Sequence, residues 1–456
     1  MKRGTIPLLR ISAANEKFRY DLSELAKMFL TADEFVMDIR DDGELHPEPD
    51  LLVPGDISKN DQKRMLYDFL SEKTGKVLDW GILTGVRPSK LYRELTDGGL
   101  DTEKILKDDY YVSDGKLSLL RNVYRTQQQA ELNMDPNAIG IYVGIPFCPT
   151  RCLYCSFTSN KITKKAASAY MEALVREIWA VRKIMDEKGM YADSIYIGGG
   201  TPTSLDDEDF ETLLKNVSEA FKGPKTVEFT VEGGRPDTIT ENKLRIIKNY
   251  GADRISINPQ SMKQRTLELI GRSHTPEQII EAFAIAKDSG IPVINADLIT
   301  GLPEEEPEDF KNSLDSMIAL DPANITVHTL AVKKASRLIE QDRDYNFRYA
   351  QVVREMLAYA SETLAANGYS PYYMYRQKHM AGNFENVGYC KKATASVYNI
   401  RIMEENQTIL ALGAGGISKQ FFPEENRLER VANVSNYEQY IDRIDEMIQR
   451  KVEGIK

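Results

Sequence analysis

The stretch IGIYVGIPFCPTRCLYCSF (139–157) decides the fold: an apolar run ends in a Pro-bearing loop that carries Cys148, Cys152 and Cys155 in a C-x3-C-x2-C spacing. Five further short apolar runs follow: SIYIGG (194–199), TVEFTVE (226–232), DRISIN (253–258), PVINADLIT (292–300) and NITVHTL (324–330). Amphipathic stretches such as KKAASAYMEALVREIWAVRKIMDEKG and TPEQIIEAFAIAKDSG separate them, and several stop at a Gly after a polar residue, the usual helix ending. Six strand–helix repeats predict a parallel α/β sheet with right-handed crossovers. Such sheets take ligands at the C-terminal ends of their strands. The cysteine loop, a GGGTP turn (198–202) and Glu232 all fall there.

The chain has four cysteines, and three of them lie within eight residues. A disulfide scaffold would spread them, and clustered thiols in a reducing compartment bind metal. Three thiolates on one loop can each take one iron of a 4Fe-4S cubane, which leaves the fourth iron open to a reactant. Structural zinc fits less well, because it asks for four ligands and no His or further Cys lies nearby. Three ordinary core cysteines so close together on a Pro-bearing loop would be a coincidence. Cys390 is far away and reads as a buried free thiol.

With 456 residues the chain has room for two or three domains. Residues 1–133 read as a mixed α/β extension, with helices at LSELAKMFL (22–30), KRMLYDFLSEKTGK (63–76) and KLSLLRNVYRTQQQAEL (116–132) and no catalytic cluster. Residues 134–345 hold the strand–helix repeats. Residues 346–456 form a C-terminal α+β region: a helix (348–368), the aromatic segment SPYYMYRQKHMAGNFENVGYC, a Gly-rich loop in LALGAGGISK and a closing amphipathic helix. The net charge of −10 argues against a general nucleic-acid binder, which needs basic surface to neutralise phosphates. No window is apolar enough to span a membrane, and MKRGTIPLLRISAANEKF lacks the apolar core of a secretory signal, so a cytoplasmic location is expected.

Taken with GGGTPT and a late Arg, Asp and GLP, the segment YVGIPFCPTRCLYCSF resembles the radical S-adenosylmethionine (SAM) superfamily. Within it the text is similar to the oxygen-independent coproporphyrinogen III oxidase family, especially coproporphyrinogen dehydrogenase of the HemZ type, which carries a comparable N-terminal extension. The resemblance runs over nearly the whole chain, including RQK…AGNFENVGY. It implies a partial (β/α)6 radical SAM barrel whose three cysteines hold a 4Fe-4S cluster, with SAM chelated to the remaining iron and cleaved to a 5′-deoxyadenosyl radical. Carried over residue by residue, it implies SAM contacts from Tyr142, Tyr154, Gly198, Gly199, Gly200, Thr201, Glu232 (ribose hydroxyls), Gln260, Arg272, Asp297 and Ala331 (adenine). One or two SAM molecules are implied. The chain departs from the family where Gly144 stands for a common His, where Gly-Gly-Arg (233–235) follows Glu232, and where Asn-Pro precedes Gln260.

The resemblance further implies oxidative decarboxylation of two propionates of a tetrapyrrole, coproporphyrinogen III, to vinyls, with electrons from a low-potential donor such as a flavodoxin or ferredoxin. A tetracarboxylate substrate calls for cations, and Arg376, Lys378, Lys333 and Lys334 are candidates, though exposed cations are commonly just solvated. His328 and His379 read as structural or surface residues. The competing readings are a haem-handling relative, either a haem chaperone or a haem-degrading radical SAM methyltransferase, and a non-catalytic iron–sulfur protein.

Overall fold

The computed structural model describes residues 8–14, 16–31, 33–39, 48–85, 87–130, 132–133, 135–155, 160–331, 349–377 and 380–456. It divides into two compact units, Met1–Tyr124 with Arg376–Lys378, and Arg125–Tyr375 with His379–Lys456. Lys333, Lys334, Lys378 and His379 lie outside the described residues.

In the first unit, strands β1 (Leu9–Ala13), β2 (Phe35–Ile39) and β3 (Leu51–Val53) form a parallel sheet in the order β2-β1-β3. Helices α1 (Arg19–Phe29) and α2 (Lys59–Thr74) bury Leu22, Leu25, Phe29, Leu66 and Leu70 with Leu9 and Ile11 of β1. Ser58 caps α2 and Gly75 closes it in the left-handed region. Helices α3 (Pro88–Asp97) and α4 (Thr102–Asp108) follow, and α5 (Asp114–Gln129) begins in this unit and ends in the other. Arg376 clusters with this unit, where its guanidinium donates to Leu83 O at 2.6 Å and lies 5.3 Å over the Trp80 ring. These strands are too short to show a period of two, so the sequence presents only the helices.

The second unit is built on an 11-stranded sheet. Its centre is six parallel strands in sequential order: β4 (Ala138–Ile145), β7 (Tyr191–Gly199), β8 (Glu228–Gly234), β9 (Arg254–Gln260), β10 (Val293–Thr300) and β11 (Asn324–Thr329). These are the six runs expected from the sequence. The short pair β5 (Phe147–Cys148) and β6 (Asn160–Lys161) stands between β4 and β7 in the chain. Helices α6 (Lys164–Lys188), α7 (Asp207–Phe221), α8 (Glu241–Asn249), α9 (Gln264–Leu269), α10 (Pro276–Asp288) and α11 (Pro307–Ala319) fill the crossovers.

One face of these strands is apolar and fully buried: Ile141, Val143, Ile195, Ile197, Phe229, Val231, Ile255, Ile257, Ile325 and Val327 are each at most 1% exposed. With a side-chain period of two, the other face must carry the alternate residues. These are Tyr142, Tyr196, Glu228, Thr230, Glu232, Arg254, Ser256, Asn258, Asn295, Asp297, Thr326 and His328. A parallel sheet of this kind normally reads as a near-continuous apolar run. Its alternation here marks an inner face made for polar company.

The C-terminal segment extends the sheet at both ends. Strands β12 (Ser370–Tyr375) and β13 (Asn386–Cys390) join antiparallel beyond β11, and Cys390 is a buried thiol that burial pushes up to about 12. Strand β14 (Ile409–Leu412) pairs parallel with β4 and is followed by β15 (Ile417–Phe422) and β16 (Arg427–Ala432). LALGAGGISK is thus a strand, a tight turn and a second strand, where the sequence suggested a Gly-rich loop. A four-residue run buried on both sides shows no alternation to read.

A buried ionic knot ties α6 to the end of the chain. Lys451, 1% exposed, meets Glu177, 0% exposed, at 2.6 Å. Tyr440 and Asn433 also donate to that carboxylate, as does the Gly413 backbone N–H in the β14–β15 turn. No described helix is long and apolar enough to cross a membrane. Removing one partner of a buried pair strands the other charge, so Glu177→Ala is expected to lower the unfolding free energy by about 3–5 kcal/mol. Denaturant titration checks this; a loss no larger than the ~1 kcal/mol of a surface pair would contradict it.

Candidate active site

The inner face closes at its lower end. Glu228 accepts from Ser396 at 2.8 Å and from the first backbone N–H groups of the helix Val397–Glu404, while Arg254 faces it at 3.7 Å. The carboxylate thus complements the positive end of that helix. Tyr398 on the same helix stacks on Tyr196 at 4.7 Å, and Tyr142 stacks with both at 6.2 and 6.3 Å. Tyr142 therefore sits in an aromatic wall, where burial and then the Glu232 carboxyl raise its hydroxyl pKa.

Above this wall runs a chain of hydrogen bonds. Tyr375 meets His328 Nδ1 at 3.4 Å, and His328 Nε2 lies 3.5 Å from Asp297. Asn295 donates to Asp297 and to Ser256, each at 2.8 Å. Ser256 donates to Asn258 at 2.5 Å, and Asn258 donates to Glu232 at 3.5 Å. The pairing of β9 with β10 shifts register between Ala296 and Leu298, so Asp297 sits in an irregularity of the kind common beside active sites. Burial, and next the Asp297 carboxylate, raise the Glu232 carboxyl to about 8, opposed by a hydrogen bond from the Gly199 backbone.

The upper rim holds the cysteines. β4 hands over to β5, which ends at Cys148, and Cys152 and Cys155 follow on the loop; all three are half-buried and none is in a disulfide. The glycine turn presses against this loop. Gly200 N donates to Ile145 O and Thr201 N to Phe147 O, each at 2.7 Å, and Thr201 Oγ1 lies 3.5 Å from Cys148 Sγ. A Cβ on Gly200 would come within 2.4 Å of Phe147 O and 3.0 Å of Cys148 Sγ, and one on Gly198 within 2.6 Å of Glu232 Oε2. Only glycine permits this approach.

Arg272 runs beneath the loop, donating to Asn258 O and, at 3.4 Å, to Tyr154 Oη. Its Nε and the Oε1 of Gln260 are buried without a partner. Buried polar atoms rarely go unpaired, and a ligand is one explanation. Gln260 also holds φ +69°, an unusual conformation for a non-glycine residue that clusters at ligand sites. Ala331 lies just beyond β11, bridged to Met380. Among the described residues no three Cys, His, Asp or Glu side chains form a site for a single metal ion.

The structure thus gathers Tyr142, Tyr154, the glycine turn, Glu232, Gln260, Arg272 and Asp297 along the ends of the parallel strands with the cysteines. Sequence reasoning passed over Tyr196, Ser256, Asn258 and Asn295, which strand alternation alone would have placed on the inner face. It also set His328 aside, although this residue joins Tyr375 to Asp297 there.

A family model for the radical SAM superfamily matches residues 142–317. The oxygen-independent coproporphyrinogen-III oxidase-like protein HemZ of Bacillus subtilis (strain 168) is 38% identical over 406 residues, 87% of this chain and 81% of that protein. The haem chaperone HemW of the same organism is 33% identical over 193 residues, 42% of this chain and 50% of that protein. Among solved structures, coproporphyrinogen III oxidase (HemN) from Escherichia coli, a radical SAM enzyme, matches with TM-score 0.55 at 21% identity, covering 71% of this chain and 72% of that one. The last likeness is one of fold. The residues at the rim suit the iron–sulfur cluster and SAM that such a family implies: soft thiolate donors, a glycine cradle against Cys148, and unpaired buried polar atoms on Gln260 and Arg272.

A carboxyl whose pKa rises on folding holds its proton more tightly in the folded state. Its effect on stability is therefore a decline as pH rises from 4.5, the ordinary value, to about 8. Glu232→Gln is expected to remove that decline from the cluster-free protein, and with it an infrared band of a protonated carboxyl that titrates near pH 8. An unchanged band in the variant would assign it to another group.

Proposed function

Because the chain belongs to the HemZ-like branch of the oxygen-independent coproporphyrinogen III oxidase family of radical SAM proteins, we propose that it decarboxylates propionates of coproporphyrinogen III to vinyls. The observation that carries this reading is the reach of the likeness: it spans 81% of the HemZ-like protein, against 50% to 68% of haem chaperones.

In this reading Cys148, Cys152 and Cys155 hold the cluster. When bound, the cluster and SAM would supply the chemistry that removes one hydrogen atom from a propionate. Each propionate carboxylate then leaves as carbon dioxide and one further electron passes to an acceptor, which completes the vinyl. The protein's part is placement. Gly198–Thr201 bring backbone to the amino group of SAM, and Arg272 offers its fork to a carboxylate. The Glu232 carboxyl offers its oxygens as acceptors to the ribose hydroxyls. Tyr142, Tyr154, Gln260, Asp297 and Ala331 complete the surroundings of one or two SAM molecules. A low-potential donor such as a flavodoxin or ferredoxin supplies the electron that starts the sequence.

The test is anaerobic incubation of the reconstituted protein with SAM, dithionite and coproporphyrinogen III. We expect 5′-deoxyadenosine and vinyl-bearing product in the native protein and neither with Cys152→Ala. If 5′-deoxyadenosine forms without vinyl product, the decarboxylase reading falls and haem handling takes its place. If Cys152→Ala still cleaves SAM, the cysteine assignment is wrong.

A further inference from the structure

The Gly-Gly-Arg that follows Glu232 (233–235) has a definite place in the structure. The pairing of β8 with β9 breaks register between Glu232 and Gly234. The chain then turns so tightly that Arg235 N donates to Gly233 O at 2.6 Å. The Arg235 side chain is driven into the interior, 3% exposed. There it forks onto Asp237, Nε to Oδ1 at 3.0 Å and Nη2 to Oδ2 at 2.8 Å. That pair neutralises the buried charge and fixes the plane of the guanidinium.

What remains of the fork reaches two other segments. Nη1 donates to Thr150 Oγ1 at 2.5 Å, and Nη2 to Ser273 Oγ at 3.2 Å. Thr150 lies midway between Cys148 and Cys152, and its hydroxyl passes the contact on by donating to Gly271 O at 3.0 Å. Leu153 N donates to Ile270 O at 2.9 Å. The cysteine loop is therefore seated on the turn 270–273, which also carries Arg272, and one guanidinium braces loop and turn together. A local ion pair between residues two apart needs no such reach, and an ammonium could not supply the fork.

We propose that Arg235 is a positioning residue that holds the loop between Cys148 and Cys152 in the shape that receives and retains the cluster. This rests on the reading of the three cysteines as cluster ligands. The brace on the cysteine loop thus comes from the end of the third parallel strand.

The experiment compares native protein with Arg235→Met, Arg235→Lys and Thr150→Val, each reconstituted anaerobically with iron and sulfide. Bound iron, the rate of visible bleaching under a ferrous chelator, the paramagnetic resonance spectrum of the reduced cluster, and thermal unfolding of the cluster-free protein are read in parallel. Loss of a charge-assisted hydrogen bond corresponds to about a tenfold change, so Arg235→Met and Thr150→Val are expected to bleach about tenfold faster than native protein. Arg235→Lys should not restore the native rate. Thr150→Val keeps the Arg235–Asp237 pair and should lower the unfolding temperature by only a few degrees, which separates loss of positioning from loss of fold if Arg235→Met is unstable. Native bleaching rates and an unaltered spectrum in Thr150→Val would overturn the inference while leaving the cluster reading intact. A native protein that takes up no iron would overturn both.

Discussion

Everything at the site depends on a desolvation constraint. Six parallel strands turn a polar face inward, and a polar group taken from water without a partner costs several kcal/mol. The structure answers group by group. Glu228, Arg254, Ser396 and a helix N-terminus satisfy one another at the base, three tyrosine rings cover the next level, and amide, hydroxyl and carboxyl groups link Tyr375 to Glu232 above. Buried atoms without a partner remain on Ser194 and Gln407 near the base, and on Gln260 and Arg272 at the rim. The second of these places is also where the glycine turn and the cysteine loop converge.

The chain is acidic as a whole, and its inner face holds carboxyls, yet Arg235 and Arg272, which reach the cysteine loop from neighbouring segments, are buried and engaged. Arg272 spends part of its fork on Asn258 O and Tyr154, and Arg235 spends all four of its observed bonds on protein. Their roles divide accordingly. Arg272 keeps an unused Nε that a ligand could take, whereas Arg235 is turned wholly to architecture.

The six central strands could be read from sequence because each combines a buried apolar period with a helix-length spacer. The cysteines could be read because their spacing excludes ordinary burial. Other parts escaped for physical reasons. β1 to β3 and β14 are three to five residues long, and a run that short carries no period. Arg376 reads in the sequence as a candidate substrate cation; its donation to Leu83 O and its place over the Trp80 ring are neighbours that a sequence does not show. Asn258 and Asn295 carry no motif and matter only because strand alternation sets them beside Glu232 and Asp297. Arg235 was visible solely as a departure from expectation, and its purpose is long-range: it binds Thr150, eighty-five residues earlier in the chain.

β4, the strand that leads into the cysteine loop, owes one of its two neighbours to the far end of the chain, with Ile409 opposite Gly140 and Leu412 opposite Val143. During synthesis that flank stays bare until residue 412 has left the ribosome, so β4 spends most of translation as an edge strand open to wrong partners. A loop of this length also closes slowly. The seat of the cysteines is thus among the last parts of the sheet to be completed, and the strand beneath it gains its second neighbour only once residues 409–412 have been made.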